Sequence, residues 1–284
     1  MLRVLLPVLL LLVQAGCDSA STADQDPSPP ADLDPTVTPP PPGDWYRPAA
    51  DVTWQWQLDG TINTSYAVEL YDVDLWETPD ATIDALHAAG RRVICYFSAG
   101  SGDEDRADYD RFLPSDLGRK LDGYPSERWL DIRSANVFQI MLDRLDLAAE
   151  RGCDGVEPDN VDGYTNRPGF PLTAQDQLAF NRNLANAAHE RGLAIALKNS
   201  GDQAGELEPY YDFELNEECH EYEECEQLQP FVDAGKPVLN VEYTDTKNQA
   251  TNLSRTVCPV ANAAGLRTLI MSYDLDDAFR VACF

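Results

Sequence analysis

The chain has 284 residues, 49 acidic against 21 basic, with a net charge of −28 and a pI near 4.2. So strong a polyanion excludes nucleic acid as a partner, since binding there needs Lys and Arg to displace counterions. It favours cationic partners, although an acidic surface also serves solubility. A hydrophobic content of 43% excludes a disordered chain and fits one large domain or two small ones.

Residues 1–17, "MLRVLLPVLLLLVQAGC", place one Arg before an apolar run too short to span a bilayer, followed by small residues. This reads as a secretory signal. Its end, Ala15-Gly16-Cys17, resembles a bacterial lipoprotein signal, which implies lipid on Cys17 and a membrane anchor. Gln14 stands where an aliphatic residue is usual, so an ordinary cleaved signal is the other reading. Residues 18–43 are rich in Ser, Thr, Asp and Pro, which bury little, and are expected to be a disordered tether. The domain is expected over 44–284, as a monomer in the cell envelope or outside the cell.

Apart from Cys17, the cysteines are Cys95, Cys153, Cys219, Cys225, Cys258 and Cys283. In an exported protein an even set reads as disulfides, and six cysteines leave the pairing open. Cys219 with Cys225 would close a small loop, Cys258 with Cys283 would fasten the C-terminus, and Cys95 and Cys153 would pair or stay reduced. Their spacing fits no zinc pattern.

From residue 50 onward, strand-like runs at 52–58, 66–73, 92–98, 154–158, 193–199, 211–216, 237–243 and 267–273 alternate with helical patterns. Thr78, Ser134 and Thr173 are expected to cap helices that stop at Gly90, Gly152 and Gly192. Strand following helix in this rhythm predicts a single (β/α)8 barrel, irregular at its start because no helix separates the first two strands. "ERWLDIR" at 127–133 is expected only to lead into the helix at Ser134. A doubly wound sheet is the alternative, but "QLDGTINTS" is no Gly-rich phosphate loop.

In a barrel, chemistry sits at the C-terminal strand ends. Those ends carry Asp72, Tyr96, Glu157, Asp159, Lys198, Asn199, Glu217, Glu242, Tyr243 and Asp274. Aromatic rings stack on sugar faces and carboxyls bond hydroxyls, and glycoside hydrolysis needs one protonated and one ionised carboxyl. No G-x-S-x-G is present. His87 and His189 are expected at exposed helix positions, and His220 lies in a Cys- and Glu-rich loop. Asp154, Glu157, Asp159 and Asp162 could instead form a calcium site. Trp54, Trp56 and Trp76 could serve as sugar platforms or as core.

"WQWQLDG", "YDVDLWET", "VICYFSAGSGDEDR", "ERWLDIRS", "GVEPDNVDGY", "LKNS", "NEEC" and "VEY", in that order, resemble glycoside hydrolase family 114, the endo-α-1,4-polygalactosaminidases. The resemblance runs from about residue 44 to the C-terminus. It implies a (β/α)8 barrel acting on partly deacetylated galactosaminogalactan, a cationic amino-sugar polysaccharide, with no cofactor or metal. It also implies a catalytic pair of Asp159, the nucleophile after the fourth strand, and Glu217, the acid/base after the sixth. Glu242 is the rival for Glu217. Asp72, Tyr96, Glu157, Lys198, Asn199, Glu242, Tyr243 and Asp274 are expected to line the substrate site. A non-catalytic carbohydrate-binding lipoprotein on the same barrel is the alternative.

Overall fold

The computed structural model describes residues 33–284; the signal segment, Cys17 and tether residues 18–32 lie outside the described residues. In chain order the elements are β1 (Trp54–Gln57), β2 (Leu70–Asp74), α1 (Asp80–Ala88), β3 (Arg92–Ser98), β4 (Ser101–Asp103), β5 (Leu117–Leu121) and β6 (Tyr124–Leu130). There follow α2 (Ala135–Glu150), β7 (Gly155–Asp159), α3 (Ala174–Glu190), β8 (Ala194–Lys198), α4 (Ala204–Leu207), β9 (Phe213–Glu217), α5 (Gln229–Asp233), β10 (Val238–Tyr243), α6 (Lys247–Ala263), β11 (Leu266–Met271) and β12 (Arg280–Ala282).

Eight strands, β1, β2, β3, β7, β8, β9, β10 and β11, pair in parallel in that order and curl as a TIM-type barrel. All eight match the runs read from the sequence. β1 passes directly to β2 without a helix, as expected. The 127–133 run differs. Tyr124–Leu130 is a strand of a small antiparallel sheet, β4-β6-β5, inserted after β3. Its alternation was short and its partners lie within the same insertion, so nothing marked it as separate from the helix lead-in.

Strand alternation sorts the core in two. Trp54, Trp56, Leu70, Ile94, Ala194, Ala196, Phe213, Leu215, Leu239, Val241, Leu269 and Met271 fill the barrel interior. Interior packing is tight enough that a Cβ on Gly155 would meet Ala194 Cβ and Ile94 Cδ1 at 2.8 Å. The alternate residues, such as Val93, Cys95, Phe97, Val156 and Leu197, pack outward against Ile83, Leu86, Val137, Ile140 and Leu184 of the helices.

β1 and β11 share no backbone ladder. The antiparallel β12 pairs with β11, and the gap to β1 is spanned by side chains. Arg280 Nη2 donates to Trp54 O at 2.7 Å, Trp54 Nε1 to Arg267 O at 2.7 Å, and Arg267 Nε to Val52 O at 2.8 Å. Three disulfides complete the frame: Cys95–Cys153, Cys219–Cys225 and Cys258–Cys283.

Ser134 and Thr173 cap α2 and α3 as expected, the latter in a capping box with Asp176. Thr78 does not cap α1, which begins after Pro79 with no side-chain cap. Residues 33–43, read as tether, lie along α3. Leu33 and Val37 pack on the outer core, and the segment's carbonyls accept from Asn183, Asn186 and Tyr210.

Candidate active site

β7, β8 and β9 end alike. Asp159, Lys198 and Glu217 are their last residues, and the next residue in each case is left-handed: Asn160 (φ 60°), Asn199 (φ 50°) and Glu218 (φ 58°). This turn frees the chain from the sheet and leaves the preceding side chain over the barrel mouth. Asn tolerates the conformation well; Glu is strained in it, and such strain gathers at functional sites. At Asn160 the turn also needs a bare neighbour, because a Cβ on Gly100 would sit 1.7 Å from the Asn160 carbonyl oxygen. Pro158 offers no N–H, and the β7–β8 ladder stops at Val156 while β7 still pairs with β3 as far as Asp159.

Lys198 is the hub. Its Nζ lies 3.2 Å from Asp159 Oδ1, 3.2 Å from Glu217 Oε2 and 3.0 Å from Glu157 Oε1, with its side chain only 3% exposed. Burial alone would lower its pKa, but the charges of Asp159, Glu157 and Glu217 outweigh burial and hold the ammonium well above its ordinary range. Glu217 receives further bonds from Asn199 Nδ2 at 3.1 Å and Tyr243 Oη at 2.5 Å, and its own N–H donates to Asn199 Oδ1 at 2.9 Å. Burial pushes Glu217 up, yet Lys198 and these donors prevail and hold it below its usual range. Asp159 Oδ2 accepts from Tyr96 Oη at 3.2 Å and Asn160 Nδ2 at 3.3 Å.

Beneath this layer lie Asp72 and Glu157, both fully buried. Neither Asp72 oxygen meets a donor, and Glu157 Oε2 meets none. Burial first, and then the Glu157 charge, raise Asp72 well above its ordinary value. Burial pushes Glu157 up to about 7 against the pull of Lys198. Two carboxyls so placed are each pushed toward the protonated form. The structure therefore sets Asp72 and Glu157 under the lysine rather than on the open surface.

Tyr96, Asp159, Lys198, Asn199, Glu217 and Tyr243 come together; Glu242 and Asp274 do not join them. Alternation with Tyr243 turns Glu242 to the outer face of β10, where it accepts from His220 N and Asn240 Nδ2. Asp274 is exposed on the loop after β11. The four carboxylates read as a possible calcium site do not converge. Asp154 sits at the opposite end of β7, bound to Arg92, His87 and the Val93 N–H. Trp54 and Trp56 are barrel core, with Lys198 Nζ 4.8 Å from the Trp56 ring centre, and Trp76 packs between Arg106 and Arg144. His189, expected on a surface, is buried against Asp212 and stacked on Trp45, because the segment before β1 covers it.

The sequence reading did not single out the 98–101 turn or the inserted sheet. Asn160 Nδ2 donates to Ser98 Oγ at 2.9 Å, Ser98 Oγ bonds Ser101 Oγ at 2.6 Å, and Ser101 Oγ bonds Glu127 of β6. The insertion thus reaches the neighbourhood of Asp159. The Ser-Ala-Gly-Ser run at 98–101 was its one local signal.

Eight parallel strands that gather an aspartate and a glutamate around one buried lysine at their C-terminal ends have the construction of a barrel glycoside hydrolase. Comparison with known proteins agrees. The model of glycoside-hydrolase family GH114 matches residues 35–283, and the chain belongs to that family. The solved structure of Aspergillus fumigatus Ega3 in complex with galactosamine is 43% identical, with a TM-score of 0.79 over 85% of this chain and all of that one. The glycoside hydrolase domain of PelA from Pseudomonas aeruginosa shares the fold at 14% identity, with a TM-score of 0.65 over 82% of this chain and 98% of its own. No curated protein sequence matches the chain.

Proposed function

We propose that this glycoside hydrolase is an exported endo-enzyme cleaving α-1,4-linked, galactosamine-containing polysaccharide, with Asp159 as nucleophile and Glu217 as acid/base. The observation that carries the reading is the shared lysine. With Lys198 Nζ 3.2 Å from one oxygen of each carboxylate, those oxygens are no more than twice that distance apart. That upper bound accommodates the ~5–5.5 Å of a retaining pair, the arrangement adopted in this reading.

Asp159 stays ionised beside Lys198, Tyr96 and Asn160 and attacks the anomeric carbon, forming a glycosyl-enzyme ester. Glu217 must carry a proton when the glycosidic oxygen leaves. Lys198 holds it ionised in the free site; a sugar that covers the side chain and displaces water drives its pKa upward, so protonation accompanies substrate binding. Glu217 then takes a proton from the water that hydrolyses the ester. The structure of the 43% identical relative holds galactosamine, and a net charge of −28 suits a polymer carrying ammonium groups. Export rests on the signal-like start and on three disulfides, and lipid attachment on Cys17.

The test is to incubate the purified protein with deacetylated galactosaminogalactan and follow the first-formed anomer by NMR. An α-configured product is expected from wild type. Asp159→Asn and Glu217→Gln should each lose at least ~100-fold in kcat while keeping the wild-type melting temperature. A β-configured first product would refute the retaining mechanism. Binding without cleavage would instead make the chain a carbohydrate-binding barrel.

A further inference from the structure

The exposed large hydrophobic side chains among the described residues are Tyr124, Tyr222, Val260 and Tyr273. The three tyrosines all lie on the catalytic rim. Tyr124 stands at the tip of the β5–β6 hairpin, Tyr222 on the loop after β9, and Tyr273 on the loop after β11. Exposed rings grouped around one opening mark a binding surface, since single exposed apolar residues are normally scattered.

Two of these rings meet. Tyr124 Oη lies 3.1 Å from Tyr273 Oη, joining the hairpin inserted after the third barrel strand to the loop after the eighth. Tyr273 also packs edge-on against Tyr243 at 5.0 Å between ring centres, and Tyr243 Oη donates to Glu217. A line of three tyrosines therefore leads from the carboxylate at the centre of the site to the rim. The hydroxyl of Tyr124 lies within reach of the charges of Glu217 and Asp159. The outer two rings are 46% and 60% exposed, leaving room for a ligand against them.

We infer that Tyr124 and Tyr273 form an outer sugar-stacking subsite, which holds a residue of the polysaccharide chain beyond the unit at the Asp159–Glu217 pair. The ligand class is a hexosamine polymer, an assignment that rests on the proposed function. The polymer parts the hydroxyl-to-hydroxyl contact and lays sugar faces on the rings. The CH-rich faces of the sugars suit the electron-rich faces of the rings, and the surrounding acids suit the amines. A single sugar fills only the inner site and does not use the pair. Chain length is therefore sensed at the rim, by residues that touch neither proposed catalytic carboxylate.

The experiment measures binding and cleavage separately. Soluble deacetylated galactosaminogalactan and free galactosamine are titrated calorimetrically into wild type, Tyr124→Ala, Tyr273→Ala and Tyr124→Phe, and polymer cleavage is assayed in parallel. The two alanine variants should bind polymer about five- to tenfold more weakly and bind galactosamine as wild type does. Tyr124→Phe keeps the ring and should stay within about twofold of wild type on both ligands, which separates stacking from a merely structural hydroxyl bridge. Polymer affinity unchanged in both alanine variants, or lost equally for polymer and galactosamine, overturns the subsite. No polymer binding by wild type overturns it as well. Polymer bound but not cleaved, with the alanine losses present, supports the subsite and refutes the catalytic reading.

Discussion

Lys198 and Glu157 form an ion pair at 3.0 Å with side chains 3% and 0% exposed, directly below the two carboxylates that the same lysine joins. A buried pair of this kind stabilises little by itself, and breaking it is costly because the remaining charge has no solvent. Lys198→Met leaves Glu157, Asp159 and Glu217 facing one another with no cation among them. The variant should lose ~3–5 kcal/mol of stability. With its main depressing charge gone, Glu217 should titrate at higher pH, so the pH profile of residual activity moves to the alkaline side. Thermal melts and a kcat/KM profile check both, and a variant that melts and titrates as wild type does would contradict the hub.

Asp72 and Glu157 answer differently to amide substitution. Burial, and then the Glu157 charge, push Asp72 toward its protonated form, which Asp72→Asn imitates. Activity at pH 7 should stay within about threefold of wild type, with no loss of melting temperature. Glu157→Gln removes the anion under Lys198 and should cost ~10- to 100-fold in kcat through the misplaced ammonium. Equal damage from the two variants would contradict the raised pKa of Asp72.

Stability should fall as the solution becomes alkaline. Burial raises Glu157 from the usual 4.5 to about 7 and Asp162 from 3.8 to about 6, and it raises Asp72 and Glu214 well above their ordinary values. A carboxyl whose folded pKa is raised contributes stability that is complete below its unfolded pKa and is lost as pH climbs through the folded one. Glu217 is held low and works the other way, as do Asp34, Asp143 and Asp276, while Glu127, Glu218 and Glu242 are also raised, so seven carboxyls stand against four. Between about pH 4 and pH 7 the balance declines, and self-repulsion of the polyanion adds to it. A melting temperature several degrees higher at pH 5.5 than at pH 8 is expected; the reverse order would contradict the burial of these acids.

Gly100→Ala should disable the site more than it unfolds the chain. The new methyl would collide with the Asn160 carbonyl at 1.7 Å, and the turn presenting Asp159 would have to shift. A loss of ~1–3 kcal/mol of stability accompanies such overpacking, with at least ~10-fold in kcat from a displaced carboxylate. Circular dichroism and initial rates separate the two effects. Wild-type turnover would mean that the Asp159 turn has slack.

The barrel was legible because its strands are long apolar runs set between capped helices, a signal carried by local periodicity. The inner site was legible for the same reason. A residue that ends a parallel strand faces the mouth whatever the distant sequence, so Asp159, Lys198, Glu217 and Tyr243 could be placed together. What failed depended on parity or on remote packing. Glu242 is one step out of phase with Tyr243, and a single step moves a side chain to the other face. Asp72 and Glu157 were read as substrate contacts because a strand-end carboxylate looks alike whether a lysine covers it or not. Tyr124 lies in an insertion whose path across the opening no local pattern reveals, and His189 is hidden by Trp45, which precedes the first strand in a stretch with no element of its own.

The seam between β1 and β11 is closed by the last few residues of the chain. Arg280 reaches Trp54, Phe284 packs 4.1 Å from the Arg267 guanidinium, and Cys283 is tied to Cys258. The first strand of the barrel is therefore held partly by residues some 226 positions further along the chain. Until they arrive, β1 is a bare sheet edge of the kind that pairs with other chains. Closure of the barrel is a long-range event, and the Cys258–Cys283 bond fastens the segment that completes it.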